Sequence, residues 1–359
     1  MSEPKEYLVL GLMSGTSLDG VDLALCRFTA ADHTISYELL AAETIVYPYY
    51  MREKLDDALY ISAQDLHYLD QELGRFYASN ILKFIEKYKI RPELISSHGH
   101  TVLHQPAKGI TLQIGDGDVI AQETSIKVVN DFRIQDVSKG GQGAPLVPIG
   151  DRDLFGKYDF CLNLGGIANI SFDYKGTRIA CDVSPCNMAL NTLAAWIEIE
   201  YDDKGALAAS GKVHTDLLSR LNSLDYYKES PPKSLGKEWF IRKFLPEIRN
   251  TEITIEDALR TVNEHISDQI SLFVKKYSKK EATMLLTGGG VYNNFLIELL
   301  KNKCEANLLI PEEKLVDFKE AIVFAYLGLL RLLGKVNVLA SVTGATSDTS
   351  SGIINNPNL

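Results

Sequence analysis

The segment that most constrains the fold runs from Leu8 to Phe28 and reads LVLGLMSGTSLDGVDLALCRF. An apolar run enters a small, hydroxyl-rich stretch, Ser14-Gly15-Thr16-Ser17. The chain then passes through Asp19-Gly20 and leaves as a second apolar run. Asp-Gly between two apolar runs is a strong signal for a β-hairpin. The segment therefore predicts two antiparallel strands near the N-terminus, with a polar tip between them.

The composition of that tip suits a phosphate ligand. Glycine lets a ligand approach the backbone closely, so that N–H groups and hydroxyls can hold phosphate oxygens. The carboxylate of Asp19 would repel phosphate directly, but it suits a hydrated Mg²⁺ ion that accompanies phosphate. An ordinary hairpin with a polar tip explains this segment equally well when it is considered alone.

Length, charge and cysteine content narrow the class of protein. A chain of 359 residues is long enough for two domains. The formal net charge of −10 leaves no basic surplus for nucleic acid. The five cysteines contain no Cys-x-x-Cys pair, which disfavours a zinc site and favours reduced thiols. The N-terminus lacks a signal-peptide pattern, and the late apolar run of 321–330 is too short to span a membrane. We expect a cytoplasmic protein with neither a nucleic-acid nor a membrane partner.

The chain repeats one organisation twice. The first part predicts three strands, a helix over 65–88 with apolar residues at helical spacing, and then alternating short strands and helices. After the glycine-rich segment of 140–143, a second unit begins with a hairpin and continues into helices. Each unit thus combines a hairpin, a glycine-rich turn and helices.

Two further glycine clusters follow predicted strands of the second unit. Gly165-Gly166 lies between two strands, and Gly288-Gly289-Gly290 lies between a strand and a helix. A glycine-rich approach to a helix favours an anion or the phosphate edge of a nucleotide. Three clusters across two units suggest one nucleotide held between domains. Three tight turns without a ligand remain the alternative.

The hairpin of 162–182 permits a geometric prediction. If Lys175-Gly176 is a two-residue turn, Tyr174 pairs with Thr177, and counting outward places Asp182 opposite Asn169. That carboxylate would then lie near the Gly165-Gly166 turn, where a phosphoryl-transfer enzyme needs a base. Alternatively, Asp182 caps the turn that follows it.

Several other polar residues are candidates for substrate contacts. Asp131 and Arg133 follow a predicted strand near the junction of the units and suit a polyhydroxylated, anionic substrate, although a surface ion pair explains them equally well. His98 belongs to the segment SHGHTVLHQP, where sugar binding or loop hydrogen bonding is favoured over metal binding. Glu320 is predicted to begin the last long helix, where the helix dipole favours a carboxylate.

Taken together, these motifs resemble the anhydro-N-acetylmuramic acid kinase family over nearly the whole chain. The matching segments are GLMSGTSLDGVDLAL, SHGHTVLHQP, LQIGDGDVIA, DFRIQDVSKGGQGAPLVP, LNLGGIANIS, DKGALAASG, PPKSLGKEWF, LLTGGGVYNN, KEAIVFAYL and VTGA.

The resemblance implies an α/β protein of the actin-like sugar-kinase type, with two ribonuclease-H-like domains and ATP in the cleft between them. We expect residues 1–131 with about 343–359 to form one domain and 132–342 the other, with pivots near 130–143 and near VTGA. The implied cofactors are ATP and Mg²⁺, and the implied assembly is a homodimer.

The resemblance also assigns roles to individual residues. Asp182 matches the catalytic base, Asp19 and Glu320 resemble carboxylates on the metal side, and Asp131, Arg133 and His98 are expected to contact the sugar. The residues expected to hold the nucleotide are Gly15, Thr16, Ser17, Leu18, Asp19, Gly20, Val21, Asp22, Gly165, Gly166, Gly288, Gly289 and Gly290.

One departure concerns the segment around the predicted base. The family usually reads FDTGPGN, whereas this chain reads CDVSPCN from Cys181 to Asn187. We expect hydrolytic opening of anhydro-N-acetylmuramic acid with phosphorylation of O6, giving N-acetylmuramic acid 6-phosphate and ADP in cell-wall sugar recycling. The alternatives are a kinase for another 1,6-anhydro sugar such as levoglucosan, and a non-catalytic ATP-binding module.

Overall fold

The computed structural model describes residues 4–15, 18–31 and 34–358. The chain divides into two compact units. The first comprises Met1–Leu154 and Phe318–Leu359, and the second comprises Phe155–Asp317. Each unit has its own apolar core. Within the described residues, no helix is both long and apolar enough to cross a membrane. The five cysteines are all free thiols.

The first unit is built on a six-stranded sheet. Its strands are β1 (Lys5–Ser14), β2 (Gly20–Ala31), β3 (Thr34–Val46), β4 (Leu94–Ser97), β7 (Lys127–Asn130) and β13 (Ile353–Asn355), with β5 (His100–Gln105) and β6 (Ile110–Ile114) forming a separate pair. Its helices are α1 (Tyr49–Asp56), α2 (Ala63–Tyr88), α3 (Gly117–Thr124), α4 (Ile134–Ser138), α5 (Pro148–Leu154) and α14 (Ala340–Thr343).

The second unit is built on a five-stranded sheet. Its strands are β8 (Phe160–Leu164), β9 (Ile167–Tyr174), β10 (Thr177–Pro185), β11 (Thr283–Thr287) and β12 (Asn307–Leu309). Its helices are α6 (Asn187–Ala195), α7 (Ala206–Ser210), α8 (Thr215–Asn222), α9 (Lys237–Trp239), α10 (Leu245–Arg249), α11 (Ile255–Tyr277) and α12 (Asn294–Lys303), and α13 (Glu313–Leu332) crosses the boundary between the units.

The two sheets share one strand order. In the first, the order is β3-β2-β1-β4-β7, extended by β13, and in the second it is β10-β9-β8-β11-β12. In both, the first three strands along the chain are antiparallel neighbours, and the next two run parallel to the first strand. This topology, repeated within one α/β chain, confirms the prediction of two ribonuclease-H-like domains.

The predicted domain borders at 131/132 and 342/343 differ from the structure, which divides at 154/155 and 317/318. The segment after β7 stays in the first unit because the buried Asp136 carboxylate accepts hydrogen bonds from Gly143 N at 2.8 Å and Thr343 Oγ1 at 2.8 Å. Gln142 N also donates to Thr343 O at 2.8 Å. The glycine-rich loop and the VTGA segment, predicted to be pivots, are therefore fastened to each other within one unit.

Helix α13 packs directly on the first sheet. A side chain at Gly11 of β1 would collide with the backbone oxygen of Ala321. A side chain at Gly328 would likewise meet Ser96 Cβ at 2.5 Å. Glycine at both positions therefore lets the helix and the strands approach closely, which explains why the helix from residue 318 onward belongs to the first unit.

Candidate active site

The hairpin β9–β10 places Asp182 where the register count predicted. Lys175 and Gly176 form the turn with φ values of 51° and 79°, the left-handed conformation that a two-residue hairpin turn requires. Tyr174 pairs with Thr177, and Asp182 pairs with Asn169. The register then shifts between Asp182 and Ser184. Asp182 is thus the last regularly paired residue before a β-bulge, a feature that re-aims side chains and is frequent beside active sites.

A segment distant in sequence holds Asp182. The backbone N–H of Leu235 donates to Asp182 Oδ2 at 2.7 Å. The N–H of Asp182 donates to Lys233 O at 3.2 Å, and the Tyr226 hydroxyl donates to Asp182 O at 2.8 Å. The Lys233 ammonium in turn donates to Tyr226 O at 3.0 Å. The segment of 226–235 therefore fixes both the backbone and one carboxylate oxygen of the predicted base.

The environment of Asp182 prepares it to accept a proton. Burial raises the pKa of its carboxyl from 3.8 to about 6, and the hydrogen bond from the Leu235 N–H opposes part of that rise. A carboxyl with a pKa near 6 is still mostly ionised at neutral pH, yet it binds a proton more strongly than an exposed aspartate does. These are the properties that a general base needs near neutral pH.

Two predicted glycine clusters meet at one edge of the second sheet. Strands β8 and β11 are parallel neighbours, with Thr287 paired with Asn163, so that Gly165-Gly166 and Gly288–Gly290 both follow the carboxyl ends of these strands. Asn187 joins them, since its Nδ2 donates to Leu164 O at 3.1 Å and its backbone N–H donates to Gly165 O at 3.1 Å.

The packing around these glycines shows which of them the fold requires and which have free space beside them. Gly288 has a φ of 82°, and a side chain at Gly290 would meet Leu164 Cβ at 2.7 Å, so the fold itself requires glycine at both. A side chain at Gly166 would meet only Met188 Cβ at 3.9 Å, and one at Gly289 only Asn187 Nδ2 at 3.9 Å. The protein therefore leaves the backbone at Gly166 and Gly289 accessible, and this geometry fits a nucleotide lying against it.

The N-terminal hairpin of the first unit is longer at its tip than a tight Asp-Gly turn. The last pair joins Ser14 to Val21, and Gly20 already belongs to β2. A side chain at Gly20 would collide with the carbonyl of Ile45, and Val21 is 1% exposed in the core, so sheet packing accounts for both residues. Of the predicted nucleotide contacts, Thr16 and Ser17 lie outside the described residues.

Polar contacts hold both ends of this tip. Buried Ser14 accepts a hydrogen bond from the Tyr47 hydroxyl at 2.8 Å and lies 3.3 Å from His100 Nδ1. On the other side, Arg52 Nε donates to Leu18 O at 2.9 Å. Asp22 Oδ1 accepts from Thr44 Oγ1 at 2.6 Å. Neighbouring strands and helix α1 thus anchor the tip on which Asp19 lies.

Arg133 contacts His98 rather than Asp131, so the surface ion pair considered as the alternative is not what holds it. Arg133 Nε and Nη2 donate to His98 Nε2 at 3.2 and 2.7 Å, and Nη1 donates to Gly143 O at 2.7 Å. Burial, and then the Arg133 charge, hold the pKa of His98 well below its ordinary value, so this imidazole is neutral. Asp131, with a φ of 55°, interacts with the Ile134 N–H at the start of α4, and burial raises its pKa.

Glu320 lies in the third turn of α13, because that helix begins at Glu313 rather than at Glu320 as predicted. Burial raises the pKa of its carboxyl, while the neighbouring charges of Lys319 and Arg133 oppose the rise. Lys319 also forms a buried ion pair with Asp151, at 2.7 Å. Glu320 therefore belongs to the same electrostatic cluster as Arg133, which the sequence did not reveal.

The two predicted metal-side carboxylates, Asp19 and Glu320, both belong to the first unit and so do not come from opposite domains. Among the residues that the structure describes, no group of three or more metal-binding side chains is assembled. Mg²⁺ commonly retains several waters and takes one or two carboxylates together with substrate phosphates. Separate carboxylates such as Asp19 and Glu320 fit that mode, and the two cationic neighbours of Glu320 disfavour its direct coordination of a metal ion.

Comparisons with known proteins show the family of this chain. Residues 7–357 match the family model of anhydro-N-acetylmuramic acid kinase. Proteins of that name from Mannheimia succiniciproducens and Francisella tularensis subsp. novicida are each 35% identical to this chain, covering 98% and 99% of it and 99% and 100% of the relatives. The one from Pasteurella multocida is 36% identical, covering 99% of this chain and 98% of the relative. By this match along nearly its full length, the chain belongs to the anhydro-N-acetylmuramic acid kinase family.

Proposed function

We propose that this protein uses ATP and water to convert 1,6-anhydro-N-acetylmuramic acid into N-acetylmuramic acid 6-phosphate and ADP. Family membership supports the substrate and the use of ATP. The observation that carries the chemistry is the state of Asp182, a half-buried carboxyl with a pKa of about 6 that the Leu235 N–H orients at 2.7 Å. A pure ATP-binding module has no need of such a base.

In the proposed reaction, Asp182 removes a proton from a water molecule as that water attacks the anomeric carbon. The new C1–O bond forms as the C1–O6 bond breaks, which opens the anhydro ring. The electron pair released on O6 attacks the γ-phosphorus of ATP, the bond to the leaving ADP oxygen breaks, and the proton on Asp182 returns to solvent. One carboxylate therefore serves both bond changes, because opening the ring creates the nucleophile for phosphoryl transfer.

The nucleotide would be held by the glycine-rich segments. We assign phosphate contacts to the hairpin tip of 15–22 and to Gly165-Gly166, and nucleoside contacts to Gly288–Gly290. The open backbone at Gly166 and Gly289 supports the latter two assignments. When bound, ATP supplies the phosphoryl group and Mg²⁺ neutralises its charge, and Asp19 and Glu320 would hold the ion through its waters.

The sugar would be contacted from the first unit. Arg133 keeps its positive charge, because burial lowers its pKa only to about 10. Although three of its N–H groups serve His98 and Gly143 O, a guanidinium has five. We propose that the remaining ones, with Asp131 and His98 beside them, bind the lactyl carboxylate and ring hydroxyls. The same proposal places the protein in the cytoplasm, as a homodimer that recycles cell-wall amino sugar.

Measuring ADP release tests the function. Purified protein with Mg²⁺ and ATP should release ADP rapidly when anhydro-N-acetylmuramic acid is present and slowly without it. Levoglucosan is the alternative sugar, because the segment CDVSPCN around the predicted base departs from the usual sequence of the family. Faster release with levoglucosan would reassign the substrate, and sugar-independent release at a low constant rate would support a non-catalytic ATP-binding module instead.

A further inference from the structure

Two adjacent tyrosines reach the bulge that follows Asp182. They lie in a 3₁₀ turn at Asp225–Lys228. The Tyr226 hydroxyl donates to Asp182 O at 2.8 Å. The Tyr227 oxygen accepts from the Ser184 hydroxyl, which also lies 3.0 Å from Pro185 O. Because the register of β10 shifts between Asp182 and Ser184, these contacts lie on the two sides of the irregular residue. The conformation of the bulge decides where the Asp182 carboxylate points.

Tyr227 is itself held by a fully buried histidine of helix α11. Its hydroxyl lies 2.8 Å from His265 Nε2, and the two rings are in edge contact with centroids 4.9 Å apart. His265 Nδ1 lies 2.6 Å from Asn222 Oδ1, at the end of α8. His265 is 0% exposed, so its polar atoms depend on these partners.

The proton positions along this series of hydrogen bonds are determined at the end that lies farthest from Asp182. Asn222 Nδ2 donates to Asp268 Oδ2 at 3.2 Å, which orients the amide so that its oxygen faces His265. Gln269 Nε2 also donates to that oxygen, at 2.9 Å. Asn222 Oδ1 therefore accepts from His265 Nδ1–H, and the neutral His265 Nε2 must accept from the Tyr227 hydroxyl. The tautomer is fixed by partners rather than by the titration of the ring.

A cluster of charges anchors the outer end. Lys303 donates to Asp268 Oδ1 at 2.6 Å and to Ser267 Oγ at 3.0 Å, and it also forms an ion pair with Glu264. Glu264 is additionally held by Arg260 at 3.0 Å. Asp268 therefore cannot move freely, and neither can the Asn222 amide that depends on it. A continuous path of directed hydrogen bonds thus runs from this cluster to the residue two positions after the base.

Burial lowers the pKa of His265 to about 3, and the charge of Lys303 adds to this effect. The ring therefore stays neutral throughout the range in which the enzyme would work. His265 therefore cannot act as a pH switch. Tyr227 and Ser184 lie between it and the bulge beside Asp182 in the series of hydrogen bonds. A fixed, neutral hydrogen-bond partner is suited to orienting another group.

We propose that Tyr227 and His265 are positioning residues for the base, acting through Ser184 on the bulge that aims the Asp182 carboxylate. The proposal rests on the proposed function, since it assumes that Asp182 is the base. Ser184 belongs to the segment CDVSPCN and stands where the family usually has glycine. Its hydroxyl therefore offers Tyr227 a contact that glycine could not provide. The bulge is thereby tied to the helical layer of its own unit.

The test compares Tyr227→Phe and His265→Phe with the wild-type enzyme. Both variants lose the directed path, whereas Tyr174→Phe removes a hydroxyl at the exposed hairpin turn and serves as the matched control. We expect kcat to fall about tenfold to a hundredfold in the two variants, since small misplacements of reacting groups have effects of that size. The acid limb of the pH–kcat profile should move, while KM for ATP stays within about twofold.

A purely structural role would lower the melting temperature and leave both kcat and the acid limb of the folded enzyme as in the wild type, and that result would overturn the proposal. Should His265→Phe fail to fold, Ser184→Gly and the double variant Ser184→Gly/Tyr227→Phe decide the matter. The losses in kcat of the two single variants should be strongly non-additive in the double variant if both residues act along one path. Additive losses would contradict it. Lack of activity in the wild-type enzyme would instead refute the proposed function, so the two failures are distinguishable.

Discussion

Replacing Asp182 by asparagine should make the protein more stable at pH 8 while removing its activity. Burial raises the folded-state pKa of this carboxyl to about 6, compared with 3.8 for an ordinary aspartate. The folded state therefore disfavours the ionised form, and stability is lost as the pH rises from about 4 to about 6. Above that range, the full cost corresponds to about 3 kcal/mol. Asparagine keeps the shape and can still accept from the Leu235 N–H, but it carries no charge.

The expected gain can be read from melting temperatures. In a unit of this size, 1 kcal/mol corresponds to roughly 2–4 °C, so the asparagine variant should melt roughly 6–12 °C above the wild type at pH 8. At pH 5 the cost of ionisation is about half as large, and the gain should shrink accordingly. Asp203→Asn, at an exposed position of the same unit, is the matched control and should change little at either pH.

Activity gives an independent reading of the same carboxyl. The base must be ionised, so kcat of the wild-type enzyme should fall as the pH drops through about 6. The asparagine variant should lose on the order of a hundredfold or more in kcat while still binding ATP. An asparagine variant that is no more stable at pH 8, or that keeps its turnover, would refute the reasoning about burial and about the base respectively.

The remaining predictions concern the nucleotide, the metal and the sugar. Gly289→Ala should raise KM for ATP about tenfold with an unchanged melting temperature, because the added methyl group would meet the protein only at 3.9 Å. Gly288→Ala should instead lower the melting temperature, because the φ of Gly288 is 82°. Thermal unfolding and ATP titration check both variants, and an unchanged KM in Gly289→Ala would remove that residue from the nucleotide site. Asp19→Asn and Glu320→Gln should each raise the Mg²⁺ concentration needed for half-maximal activity without changing KM for the sugar, and an unaltered Mg²⁺ titration in both would assign them other roles. Arg133→Ala should weaken anhydro-N-acetylmuramic acid much more than levoglucosan, which lacks the lactyl carboxylate, and equal losses in KM for the two sugars would leave Arg133 as a contact to ring hydroxyls or to His98.

Local features were predictable from the sequence because neighbours along the chain determine them. Lys175-Gly176 favours a left-handed turn, and once that turn is set, the pairing of Asp182 with Asn169 follows from counting. Helix α2 was predicted over 65–88, close to its observed bounds of Ala63–Tyr88, because its apolar residues recur at helical spacing.

The features that escaped prediction depend on contacts distant in sequence. The hydrogen bonds that hold Asp182 come from residues 44 and 53 positions away. Leu235 lies in the family-matching segment PPKSLGKEWF, and nothing in that segment identified Asp182 as its partner. The domain border was misplaced for the same reason, since Asp136 and Thr343, which tie the glycine-rich loop to the first unit, are 207 positions apart.

The most direct test of the proposed chemistry follows the oxygen of the attacking water. The enzyme is incubated with ATP, Mg²⁺ and anhydro-N-acetylmuramic acid in ¹⁸O-enriched water, and the sugar phosphate is analysed by mass spectrometry with fragmentation. If Asp182 activates water for attack on the anomeric carbon, the product should be a 6-phosphosugar that carries one ¹⁸O at C1 and forms in equal amount with ADP, after brief incubation that limits anomeric exchange. A phosphorylated sugar that keeps its anhydro ring, or ADP formed with ¹⁸O only in inorganic phosphate, would contradict the account.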